Sequence, residues 1–139
     1  MYKSIKKWGV LLIFLLAAAC FSGCKVEEGD TKKISDLSFI VVKDEEIPER
    51  LRELIQESKE KPFKLTYSDD NYLYLVMGYG EQATSGYSVQ VKECYLTSNA
   101  IVFKTNLLGP SKSENIVETK TYPYIVVKTE YREEMVVFQ

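Results

Sequence analysis

Apolar and polar positions along this chain follow two periods, and the switch between them marks its organisation. Leu37-Ser38-Phe39-Ile40-Val41-Val42 is rich in β-branched and aromatic residues and predicts a first strand. From Ile47 the spacing lengthens: Leu51, Leu54 and Ile55 follow at i+4, i+7 and i+8, while Glu49, Arg50, Arg52, Glu53 and Glu57 occupy the other faces. This is the pattern of an amphipathic helix with one apolar stripe. Asp44, Glu45 and Glu46 precede it, where negative charge suits the positive end of the helix dipole, and Pro48 fits the first turn. Basic residues at Lys59 and Lys61 meet the negative end, and Pro62 stops the helix.

Beyond Pro62 the pattern is that of strands. Phe63–Tyr67 leads into Ser68-Asp69-Asp70-Asn71, short polar side chains that bond local backbone in turns. Tyr72–Met77 returns with apolar atoms on both faces, which predicts a central strand covered on one side by the helix. Residues 78–86 form a loop containing Gly78, Gly80 and Gly86, and Tyr87–Lys92 then alternates as a half-buried strand should. Ala100–Lys104 follows a turn at Thr97-Ser98-Asn99, residues 108–114 break the pattern, and Tyr122–Lys128 and Glu134–Phe138 are the last two candidates. One early helix followed by a run of strands predicts an α+β domain over residues 37–139: a mostly antiparallel sheet of about six strands with the helix packed on it.

The N-terminus obeys neither period. Lys3, Lys6 and Lys7 precede an uncharged apolar run from Trp8 to Ala19, and Phe21-Ser22-Gly23 leads to Cys24. A positive start, a short apolar stretch and small residues before a cut define a secretory signal over residues 1–23. The run is shorter than the ~20 residues of a membrane-spanning helix. Phe21-Ser22-Gly23-Cys24 resembles a bacterial lipobox, which implies cleavage before Cys24 and acylation of its thiol with a glyceride. Two acyl chains give stable attachment where one does not. Cys20, behind Ala17-Ala18-Ala19, is the rival acceptor; Ser22 and Gly23 favour Cys24. The expected location is the outer face of the cytoplasmic membrane. Residues 24–36 are polar, aperiodic and charged, and read as a flexible tether.

Composition narrows the chemistry. The 139-residue chain carries a net charge of −2 and no histidine. Removal of residues 1–23 takes away three lysines and no acid, so the remaining chain is more acidic still. Such a chain has no electrostatic grip on nucleic acid and no polybasic patch for anionic lipid. The missing histidine excludes Ser-His and Cys-His catalysis and the common histidine metal sites. If Cys24 is acylated, Cys94 stands alone without a disulfide partner and reads as a small packed residue.

Candidate constellations are few. Asp69-Asp70 suits a solvated turn and lacks the spacing of a calcium loop. Gly78-Tyr79-Gly80 is not a dinucleotide fingerprint, since no helix follows. Glu133-Glu134 has no metal-ligand company. Ser85 or Ser88 could act with Lys92 or Lys128, but no spacing selects a pair. No cofactor, no metal and no catalysis are expected.

Tyrosine is abundant, with ten in the chain. Tyr74, Tyr79 and Tyr87 flank the glycine loop in sequence, with Tyr122 and Tyr124 further on. Tyrosine joins a large apolar ring to a polar tip and is favoured at recognition surfaces, although sheets also favour aromatics. Glycines let backbone approach a ligand or another chain closely.

Gly80-Glu81-Gln82-Ala83-Thr84-Ser85-Gly86-Tyr87-Ser88-Val89-Gln90-Val91 resembles the central motif of the PrcB C-terminal domain family, with its Thr-Gly-Gly-Tyr core and alternating strand. Leu108-Gly109-Pro110 resembles the family's proline loop, and Thr121–Lys128 its closing strand, so the likeness covers residues 72–129. Ser85 departs from the pattern and leaves Gly86 alone to take a left-handed conformation. The resemblance implies a lipoprotein subunit of a cell-surface protease complex, bound to a subtilisin-like protease that carries the catalytic residues. On this reading Tyr79, Gln82, Thr84, Tyr87 and Tyr122 are the expected contact residues for a secreted or surface protease or another envelope protein. The other classes considered are a site for a cell-wall peptide or glycan, and a protease inhibitor.

Overall fold

A computed structural model describes residues 31–139. Eight strands and one α-helix follow in the order β1 (Ser35–Asp36), β2 (Ile40–Val41), a 3-10 turn (Asp44–Glu46), α1 (Glu49–Ser58), β3 (Pro62–Ser68), β4 (Tyr72–Tyr79), β5 (Ser88–Leu96), β6 (Ala100–Leu108), β7 (Tyr124–Glu130) and β8 (Met135–Phe138). They form two four-stranded sheets, ordered β1-β5-β6-β8 and β2-β7-β4-β3. All pairings are antiparallel except β6 with β8. The α+β class holds, but the expected single sheet of about six strands is two sheets of eight strands in all.

The reason lies in the core. Leu73 and Leu75 of β4 pack with Cys94, Ile101, Phe103 and Val127 between the sheets. Tyr74 and Val76, on the opposite face of β4, pack with Val42, Leu51, Ile55 and Val126 beneath the helix. Alternate side chains of a strand point to opposite faces, so β4 and its neighbour β7 are covered by the helix on one side and the second sheet on the other. The expectation of a central strand under the helix is met. What covers its second face could not be read from a single strand's pattern.

The predicted first strand, 37–42, is divided. Ser35 and Asp36 pair with Tyr95 and Leu96 in one sheet, while Ile40 and Val41 pair with Val127 and Lys128 in the other. Leu37 joins the core between the sheets, where the chain passes from one to the other. The expected tether is correspondingly docked at its end: Ile34 N–H donates to the Leu96 carbonyl at 2.8 Å, and the Tyr95 hydroxyl donates to the Thr31 carbonyl at 3.0 Å. The signal segment, Cys20, Cys24 and the rest of the tether lie outside the described residues.

Other boundaries move for local reasons. The acids before the helix form their own 3-10 turn, and Pro48 is the cap before Glu49. Leu51 and Ile55 are fully buried, as the helical period requires. Pro62 both ends the helical run and begins β3, an edge strand where its missing N–H is tolerated. β5 and β6 run on to Leu96 and Leu108 because each is paired along its length, with a bulge at Lys92 that re-registers β5 between Val91 and Glu93. Phe103 lies at the centre of the inter-sheet core, edge-on to Phe138 at a centroid distance of 5.9 Å. Phe103→Ala is therefore expected to lower stability by about 3–5 kcal/mol, and Ile116→Ala, at an exposed position, by less than about 0.5 kcal/mol. Urea unfolding of both variants measures the contrast.

Candidate functional site

The glycine loop begins where β4 ends, and the positive φ of its glycines sets its path. Gly80 (φ +76°) and Gly86 (φ +90°) are the residues with positive φ among those described. A β-carbon on Gly80 would lie 2.8 Å from Pro62 Cδ, and one on Gly86 would lie 2.6 Å from Pro110 Cβ. The close approach that glycine permits is thus to other parts of this chain: the start of β3 and the proline loop after β6.

The long β6–β7 connection lies over the loop and ties it down. Gln82 and Thr121 exchange backbone bonds in both directions, at 2.8 and 3.0 Å. The Thr121 hydroxyl donates to the Thr84 carbonyl at 2.7 Å. Ser85 N–H donates to the Val117 carbonyl at 2.9 Å, and Val117 N–H returns a bond to Ser85 Oγ at 2.9 Å. Ser85, the departure from the family pattern, therefore uses its hydroxyl to hold the covering segment, and of the Ser85-Gly86 pair only Gly86 has a positive φ. Backbone groups of Gln82, Thr84 and Ser85 are thus bonded to the cover, which leaves the loop pre-ordered for a contact.

The five expected contact residues divide by orientation. Tyr79 is half-buried, and its hydroxyl shares a 2.7 Å hydrogen bond with Thr105 on β6, so its polar tip points into the fold and joins the two sheets. Thr84 directs its hydroxyl to the neighbouring Ser85 carbonyl at 3.1 Å. Gln82 donates to the Tyr79 carbonyl at 3.3 Å. Tyr87 is half-buried and lies 3.8 Å from the place a Gly109 β-carbon would take. Tyr122 is the most elaborated: Lys59 Nζ sits 4.7 Å above its ring, and its hydroxyl donates to Glu81 at 3.4 Å, beside the Glu81–Lys120 ion pair at 3.3 Å. Tyr79, Gln82, Thr84 and Tyr122 thus come together at one end of the domain, with Tyr87 beside the proline loop. Lys59 and Thr105 were missed because they are distant in sequence and belong to no motif, and Glu81 and Lys120 because only the fold shows that they pair beside Tyr122.

The remaining candidates are placed as follows. Tyr74, a flanking residue in sequence, is buried under the helix and away from the loop. Tyr124 donates to Asp44 at 3.0 Å, and burial, then this bond, pushes its hydroxyl up to about 12. Asp69 accepts the N–H groups of Asn71 and Tyr72 at 2.9 and 2.7 Å, the turn role read from its sequence. Glu134 pairs with Arg132 at 2.7 Å, which holds its carboxyl below the usual range. Ser88 opens β5, and Lys92 lies at the bulge four residues along, roughly 13 Å at strand spacing. Lys128 sits 4.6 Å above the Tyr72 ring, at the far end of β7 from the loop. Among the described residues no cluster of three or more potential metal ligands occurs, and no helix is long and apolar enough to cross a membrane. A groove of about 330 Å³ lies between β3 and β8, lined by residues such as Lys64, Leu73, Glu134 and Phe138, none of them in the glycine loop.

The loop, its cover and the strands that carry them coincide with one family. The family model described as PrcB C-terminal matches residues 73–130, from the start of β4 to the end of β7, and over this segment the chain is similar to the PrcB C-terminal domain family. Neither a curated protein nor a solved structure matches the chain.

Two outcomes test this geometry. Gly86→Ala forces a side chain into a left-handed conformation against Pro110 and is expected to cost more than about 1 kcal/mol. Ser85→Ala removes one bond to the cover, at about 1 kcal/mol, and should speed hydrogen exchange at Val117 N–H. Cys94 gives a pH test. Burial pushes its thiol up from 9.0 to about 11, so the unfolded chain loses this proton at lower pH than the folded one. Its contribution to stability is complete below about pH 9 and is lost as pH rises toward 11. Cys94→Val should flatten that part of the stability curve.

Proposed function

We propose that this protein is a membrane-held binding subunit that acts on an extracytoplasmic protease by holding it and not by catalysis. The family that residues 73–130 match supports a role in a protease complex. The observation that carries the reading is the loop end of the domain. There Gln82 and Thr84 are held by hydrogen bonds to Thr121, and Tyr122 lies half-exposed between Lys59 and the Glu81–Lys120 pair. A rigid patch with an aromatic ring and both signs of charge at its rim suits protein recognition, because little ordering entropy is lost on contact. The tyrosines of the loop serve this role through their rings, since the Tyr79 hydroxyl is already engaged with Thr105.

In this account the signal directs export, cleavage precedes Cys24, and its acylated thiol keeps the domain on the outer face of the cytoplasmic membrane. The tether then raises the partner's effective concentration near the membrane without new contacts. A protein with no histidine and a protonated, buried Cys94 thiol complements a partner that brings its own catalytic residues. Mass spectrometry of the native protein should find a mature chain beginning at an acylated Cys24. Affinity purification of the tagged full-length protein from its own cells should recover an envelope protease. Tyr122→Ala should reduce that recovery at least tenfold while leaving the unfolding midpoint within about 0.5 kcal/mol of the parent. Recovery unchanged by Tyr122→Ala and Tyr87→Ala together would remove this surface from consideration.

A further inference from the structure

The two ends of the domain differ in kind. β4 runs from Tyr72 to Tyr79, where the glycine loop begins, a length of roughly 25 Å at strand spacing. β5 runs back, from Ser88 beside the loop to Leu96. The N-terminal segment enters at this second end: Ile34 bonds the Leu96 carbonyl and Thr31 bonds the Tyr95 hydroxyl. The chain leading to Cys24 therefore leaves the domain opposite the loop.

That end also carries a cluster of exposed apolar side chains. Phe39, Ile40 and Tyr72 are all exposed, Ile40 by 61%. Ile40 pairs with Lys128, which pairs with Tyr74, so Ile40 and Lys128 share the sheet face on which the helix packs. Tyr72 shares it too, two residues before Tyr74. The helix stops short of them: its core takes in Val42, Tyr74 and Val126 but not Ile40 or Tyr72. Phe39, Ile40, Tyr72 and Lys128 instead line a shallow hollow of about 220 Å³ that also includes Glu130. Lys128 lies 4.6 Å above the Tyr72 ring, an ammonium beside an aromatic at the edge of an apolar patch. Aliphatic, aromatic and lysine side chains in this arrangement match the layered chemistry of a lipid interface, with apolar parts inward and polar tips at headgroup level.

We propose that this end of the domain, centred on Phe39, Ile40 and Tyr72, seats on the lipid surface and holds the glycine-loop end outward toward the partner. The inference rests on the acylation of Cys24 proposed above. Cys24 is about ten residues before Ile34, and a fully extended chain of that length reaches at most roughly 35 Å. The anchor keeps the patch within that distance of the bilayer, and residues 31–36 are docked on the domain. The acidic chain has no general attraction to anionic headgroups. The contact is then local and apolar, fixing orientation, while the acyl chains supply retention.

The chain's one tryptophan is Trp8, in the signal, so the mature protein offers a silent background. The acylated full-length mature lipoprotein carrying Ile40→Trp, and separately Ile116→Trp on the loop cover, is reconstituted into vesicles of phosphatidylethanolamine and phosphatidylglycerol with brominated acyl chains. Emission from position 40 should shift to the blue and lose at least half its intensity relative to unbrominated vesicles, and emission from position 116 should do neither. Anchored protein whose position-40 emission is unquenched overturns the orientation and leaves the binding-subunit reading intact. A blue shift at position 40 without quenching also overturns it, and assigns the patch to a protein contact. A mature chain without acyl groups overturns both readings. Phe39→Glu with Tyr72→Glu, read through the same position-40 reporter, should abolish the quenching while the protein stays anchored; persistence of quenching would overturn the patch as its cause.

Discussion

The rest of the fold depends on the burial of β4 on both of its faces. Leu73 and Leu75 need one cover, Tyr74 and Val76 another, and no single neighbour can supply both. The helix satisfies one side and the β5–β6 sheet the other. Because β4 pairs with β3 and β7, those strands are drawn into the same central layer. The layer order of helix, sheet and sheet follows from this one strand.

The loop end inherits its rigidity from that arrangement. β4 delivers the chain to Gly80 in one sheet and β5 collects it at Ser88 in the other, so residues 80–87 must cross between sheets. A crossing segment has backbone groups that no ladder satisfies. The β6–β7 connection supplies the partners, through Thr121 and Val117, and becomes the outer surface of this end. The glycines serve the crossing, since any β-carbon at Gly80 or Gly86 would meet proline atoms of this chain. The surface of this end is for this reason a composite of two loops, with Tyr122 contributed by the cover.

Burial and exposure divide the tyrosines in a way that composition alone does not reveal. Tyr74 lies in the core, Tyr79 and Tyr124 spend their hydroxyls within the fold, Tyr72 lies at the apolar end, and Tyr122 stands at the loop end between charges. Residues of one type thus serve packing, internal bonding and surface roles. On the proposed reading, an anchored end and a recognition end separated by the length of β4 would give the domain a direction relative to the membrane.

Local chemistry made part of this visible in the chain itself. The i, i+4, i+7, i+8 run from Ile47 identified α1, the Ser68–Asn71 cluster identified its turn, and the Gly80–Val91 motif identified the family segment. Each is written in adjacent residues, because helical period, turn bonding and positive φ are local constraints. The division of residues 37–42 between two sheets, the parallel β6–β8 pair, the Ser85–Val117 bonds and the Lys59–Tyr122 contact were decided only in three dimensions. They join positions far apart along the chain. A strand's alternation records that a face is buried, and carries no record of which distant strand buries it.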